Sequence, residues 1–140
     1  NNNNAKELLS FGVAEAVVRT DYCGIPCQIR LDWFNPEHGI IDLKTTAELK
    51  YFESDAKKYN YIRQMAFYQQ VLKQVTGELF PVFLIAIEKQ EPYACGVWSI
   101  TQDALNCYTQ SNERYIERLK ECIANSVWPT GYEEIRVLGE

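Results

Sequence analysis

Apolar and polar side chains alternate along residues 27–34. Cys27, Ile29, Leu31 and Trp33 fall on one side; Gln28, Arg30 and Asp32 fall on the other. A period of two predicts a strand with one face on a core. Residues 11–20, with β-branched Val13, Val17 and Val18, predict an earlier strand, and 21–26 a turn. Residues 40–46 predict a third strand, reached across the turn-rich Asn35-Pro36-Glu37-His38-Gly39. Residues 47–58 are charged and ambiguous, and read as a loop with room for a helical turn. From 59 to 75 the period lengthens: Ile62, Met65, Ala66, Leu72 and Val75 form a helical stripe, and Gly77 stands where a helix-ending glycine belongs. Residues 80–87 are almost wholly apolar, as in a central strand buried on both faces. Glu91-Pro92 predicts a turn and 93–100 another strand. Thr101 predicts the cap of a helix to about residue 125, with Leu105, Tyr108, Ile116, Leu119 and Ile123 facing inward.

Three strands, a helix, two strands and a helix define an α/β (mixed-sheet α+β) layered domain. The 140 residues suffice for one domain with its own core. Asn1 to Asn4 read as a remnant, which makes residues 1–10 an N-terminal remnant or linker, 11–128 the domain and 129–140 a tail. The net charge of −5 lacks the basic footprint of a protein that coats DNA passively. It leaves room for a metal-dependent nuclease, whose site must itself be acidic. No apolar run reaches the roughly 20 residues of a membrane span, and the first residues lack the order of a signal peptide. Five irregularly spaced cysteines suit free thiols in a reducing cytoplasm better than a disulfide framework. Cys23 and Cys27 flank a turn and lack the spacing of a zinc knuckle.

The chemistry concentrates in the 27–46 hairpin. A turn centred on Glu37 sets Asp32 opposite Asp42, Leu31 opposite Leu43 and Trp33 opposite Ile41. Strand alternation then places Arg30, Asp32, Asp42 and Lys44 on one face. Two carboxylates directly opposed repel one another, and a divalent cation between them reverses that sign. Mg²⁺ takes hard oxygen ligands and commonly uses one or two carboxylates. Asp32 and Asp42 supply these, and the Leu43 backbone carbonyl supplies a third oxygen on the same edge. Mn²⁺ substitutes with the same ligands. Lys44, protonated at neutral pH in its ordinary state, would act electrostatically on charge building up at a phosphate.

The segments "IRLDWF", "GIIDLKTT" and "YIRQMAFYQQ" together resemble the PD-(D/E)xK nucleases, nearest to the RecB-like branch with RecE-type phage and prophage exonucleases and more distantly lambda exonuclease. The segments "FPVFLIAIE" and "EPYACGVWSI" extend the resemblance over most of residues 11–128. It implies a restriction-endonuclease-like core, a mixed sheet flanked by helices. Asp32 then takes the place of the second-motif aspartate, and Asp42-Leu43-Lys44 that of the (D/E)-x-K motif. Gln64 and Tyr68, four residues apart on one helix face, match a Gln-x-x-x-Tyr motif that works beside the site. It further implies Mg²⁺-dependent 5′-to-3′ hydrolysis of DNA from duplex ends in recombination, a homo-oligomer, and a single-strand annealing protein as partner. The family's earlier helix, which adds a ligand to the metal, has no counterpart ahead of residue 11, so the first core helix is expected to be missing from this stretch.

Three further residues are candidates. Glu15 interrupts the first strand beside the hairpin and could join the metal site or point to solvent. Arg30 is a candidate phosphate contact. Lys57-Lys58 is the one basic pair near the proposed site. The alternatives to an exonuclease are a structure-selective or restriction-like endonuclease of the same superfamily and a non-catalytic scaffold for a recombination partner.

Overall fold

The computed structural model describes residues 2–139. The elements run α1 (Asn3–Leu8), β1 (Val13–Tyr22), β2 (Ile25–Asn35), β3 (Gly39–Thr46), a 3-10 turn (Leu49–Tyr51), α2 (Phe52–Lys58), α3 (Tyr61–Thr76), β4 (Val82–Glu88), β5 (Cys95–Ser99) and α4 (Gln102–Asn125). The five strands form one sheet in the order β1-β2-β3-β4-β5. The β3–β4 pair is parallel and the others are antiparallel, because β3 and β4 are joined by the α2–α3 crossover and the rest by turns. This is the mixed α/β sheet expected from the sequence. No helix among the described residues is long and apolar enough to cross a membrane.

Each face of the sheet has its own core. On the front face Ile29, Leu31, Ile40, Val82, Leu84 and Ala86 pack against Met65, Ala66, Val71 and Leu72 of α3 and Leu105 of α4. On the back face Ile41 and Ile85 pack against Ala5 and Leu8 of α1, flanked by Trp33, Phe83 and Val97. Burying a side chain the size of Leu or Ile stabilises a fold by roughly 1.5–3 kcal/mol relative to leaving it exposed. The central strands β3 and β4 supply most of these residues, as the unbroken apolar run 80–87 implies.

Four elements depart from the expectation. The stretch expected to lack a helix holds α1, whose Ala5 and Leu8, three apart, bury their side chains against the sheet. Asn35, itself fully buried, ties it down: its amide donates to Leu8 O at 2.9 Å, and its Oδ1 accepts from the Glu37 and His38 amides at the hairpin turn. The 47–58 stretch holds a whole helix, α2, because Phe52 and Ala56, four apart, reach the core. The long 59–75 helix starts two residues later than expected, since Asn60 adopts the left-handed conformation (φ 58, ψ 36) and turns a corner between α2 and α3. Asn is one of the few residues that visit this region routinely. On α4, Leu105 is fully buried, but Leu119 and Ile123, expected to face inward, are exposed.

Candidate active site

The β2–β3 ladder runs from Asn35/Gly39 through Phe34/Ile40 to Trp33/Ile41 and there stops. This is the register set by a turn centred on Glu37. Beyond it β2 stays with β1 while β3 stays with β4, so the sheet parts between Asp32 and Asp42. At the fork Asp32 Oδ2 accepts the Leu43 amide at 2.9 Å, taking the place of the missing ladder bond. In a parallel pair, alternate residues bond the neighbouring strand. Ile40 N–H and Thr46 O do so toward β4, at 2.9 and 3.0 Å. Leu43, of the opposite parity, therefore turns both its N–H and its carbonyl toward the fork.

A kink in β2 accompanies the fork. Ile29 and Leu31 face the front core, yet Phe34 faces it too, so alternation breaks between residues 31 and 34. The β1–β2 register skips one pair at this point, Glu15 with Asp32, and Glu15 has φ 53. The kink corrects two expectations. Leu31 does not share a face with Trp33 and Ile41: it faces the front core and they face the back. Arg30, between Ile29 and Leu31, is exposed on the back side of β2 and does not share the face of Asp42 and Lys44.

The front face carries a connected row of polar groups. Asp42, only 3% exposed, places Oδ2 2.8 Å from Lys44 Nζ. That oxygen is buried, and the Lys44 ammonium is its partner. Lys44 Nζ donates to Gln64 Oε1 at 3.0 Å and stands 4.4 Å above the Tyr61 ring centroid. Gln64 in turn donates to Tyr68 Oη at 3.1 Å. Burial pushes the Asp42 carboxyl up to about 6; Lys44 pulls the other way, and the Asp32 carboxyl, within hydrogen-bonding reach, adds to the rise.

The structure thus brings together Asp32, Asp42, Leu43, Lys44, Gln64 and Tyr68. Glu15 is exposed at the kink, and among the described residues no three His, Cys, Asp or Glu side chains gather closely enough to hold a metal. Helix α1 lies on the back face, its Glu7 3.7 Å from His38, and brings no carboxylate to the fork. All five cysteines are free, and burial raises the Cys23 and Cys27 thiols, the reverse of what a metal-binding thiolate needs. Tyr61 belongs to the site although the motif reading passed over it; its position three residues before Gln64 on one helix face was the available signal.

The donor set suits a hard divalent cation. Two carboxylates and a backbone carbonyl converge on the fork, the buried Asp42 Oδ2 faces the Lys44 ammonium, and crowding of two acids favours any bound positive charge.

A family model, described as a PDDEXK-like domain of unknown function (DUF3799), matches residues 1–140, the whole of the chain. The chain belongs to that family, and so to the PD-(D/E)xK superfamily. No curated protein sequence matches it. A crystal structure from Eubacterium rectale, described as that of a candidate exonuclease, superposes with a TM-score of 0.75 at 21% identity. It covers 99% of this chain, which spans only 57% of that one. At this identity the likeness shows a shared fold.

Proposed function

We propose that the domain is a metal-dependent deoxyribonuclease that hydrolyses phosphodiester bonds from duplex ends, in the manner of the RecE-type exonucleases of phage recombination. The observation that carries the reading is the convergence of Asp32, Asp42 and Lys44 at the sheet fork, where two carboxylates and an ammonium crowd together beyond what capping the Leu43 amide requires. A bound Mg²⁺ or Mn²⁺ would polarise the phosphodiester and make its water a stronger nucleophile. Asp32, Asp42 and the Leu43 carbonyl would hold it. Lys44 holds its ammonium over Tyr61 and against Gln64, pre-positioned to meet negative charge as it develops on the scissile phosphate. Gln64 fixes Lys44, and Tyr68 fixes Gln64. The 5′-to-3′ direction, the homo-oligomer and a strand-annealing partner are supported by the sequence resemblance, and the exonuclease mode also by the description of the Eubacterium rectale protein.

Release of nucleotides from linear duplex DNA with Mg²⁺ tests the reading. Wild-type protein should degrade the linear duplex and leave a covalently closed circle whole, and Asp42→Asn should abolish degradation without loss of fold. Degradation at the wild-type rate by Asp42→Asn contradicts the proposed site. Equal cutting of the circle replaces an exonuclease with an endonuclease.

A further inference from the structure

Tyr59 ends a ladder of aromatic rings that begins in the core and passes under Lys44. The Trp98 and Phe52 centroids are 4.6 Å apart, Phe52 and Tyr61 5.9 Å, and Tyr61 and Tyr59 6.0 Å with the last two rings only 28° from parallel. The inner members are explained by packing: Phe52 is 1% exposed. Tyr59 is 57% exposed, so packing does not explain why it continues the row. The corner at Asn60 puts the rings of residues 59 and 61 side by side. Lys58 Nζ stands 5.3 Å from the Tyr59 centroid, and Lys50 stands 5.0 Å from that of Tyr51, also exposed, in the turn before α2. Aromatic faces interleaved with lysines make a surface that takes a base by stacking and its phosphate by charge, with little regard to sequence.

We infer that Tyr59 is a stacking platform for an unpaired base next to the phosphate held at the Asp42–Lys44 site, so that the site takes a single-stranded or frayed end in preference to a fully paired one. The inference rests on the nuclease reading and specifies its substrate. Tyr61 is the link: its ring lies 4.4 Å from the Lys44 ammonium, which meets the phosphate, and 6.0 Å from the Tyr59 ring. A nucleotide whose phosphate lies beside Lys44 has its neighbour within reach of Tyr59. A base inside a duplex is already stacked on both sides, whereas an unpaired terminal base has a face to offer.

A short single strand carrying 2-aminopurine near its end, bound by the full domain in EDTA, tests this without turnover. Stacking on Tyr59 should quench the fluorophore. Tyr59→Ala should abolish the quenching and weaken single-strand binding about tenfold, leaving affinity for blunt duplex unchanged. Tyr59→Trp should preserve both the quenching and the affinity, which separates a stacking role from a structural one. If Tyr59→Ala binds and quenches like wild type while Asp42→Asn is inactive on linear DNA, the platform is refuted and the nuclease reading stands. If wild-type protein neither binds nor cleaves DNA, both are refuted.

Discussion

Asp32 accepts the backbone amide of Leu43 at 2.9 Å at the point where the β2–β3 ladder ends. The side chain thus does two things: it satisfies a strand edge, and it holds its carboxylate beside that of Asp42. The Leu43 amide lies at the exposed side of the fork, where water can replace the lost acceptor. Asp32→Ala should therefore lower the stability of the metal-free protein by only about 1 kcal/mol, while removing Mn²⁺ binding in calorimetric titration. A large loss of stability with metal affinity intact would assign Asp32 to structure instead.

Gln64 holds Lys44 and is itself held by Tyr68. Gln64→Ala should lower kcat on linear DNA by roughly ten- to a hundredfold, because a misplaced charge loses its alignment with the reacting phosphate. Mn²⁺ affinity and KM should stay near wild type. A matching fall in Mn²⁺ affinity would show that Gln64 shapes the metal site and not the lysine.

Burial raises the Asp42 carboxyl from an ordinary 3.8 to about 6, so in the metal-free fold the protonated form is favoured relative to the unfolded chain. The group costs nothing below pH 3.8, and its destabilising effect grows as pH rises through about 6, reaching roughly 3 kcal/mol above that. Asp42→Asn removes the titration. In EDTA, the melting temperature of Asp42→Asn minus that of wild type should rise between pH 4 and pH 7 and then level off. A difference independent of pH would show that Asp42 titrates normally.

Asn35 serves the fold and not the fork. Its buried amide joins the end of α1 to the hairpin turn. Asn35→Ala leaves the Leu8 carbonyl and two turn amides without this partner and should cost about 2–3 kcal/mol, seen as a lower midpoint in urea. Mn²⁺ affinity should persist in the folded variant, because α1 lies on the sheet face opposite the site.

Much of the candidate site's geometry was legible because the hairpin register follows from one turn. Centring it on Glu37 gives Trp33 opposite Ile41, which the ladder contains, and the four-residue spacing of Gln64 and Tyr68 puts them on one helix face beside Lys44. The misplacement of Arg30 and Leu31 has a definite cause. Period-two reading assumes a regular strand, and the kink at Glu15/Asp32 shifts the parity of everything before it. Nothing about Glu15 announces a left-handed backbone, since Gly or Asn would be the usual sign. Helices α1 and α2 escaped notice because each buries only two side chains, Ala5 with Leu8 and Phe52 with Ala56, too few to stand out as a stripe among polar neighbours.

Above all, the fork in the sheet should seat a hard divalent cation. Anomalous diffraction from crystals soaked in millimolar Mn²⁺ measures this directly. A peak in contact with the carboxylates of Asp32 and Asp42 and with the Leu43 carbonyl is the expected result. A featureless map at the fork, or a peak confined to other surface acids, contradicts it.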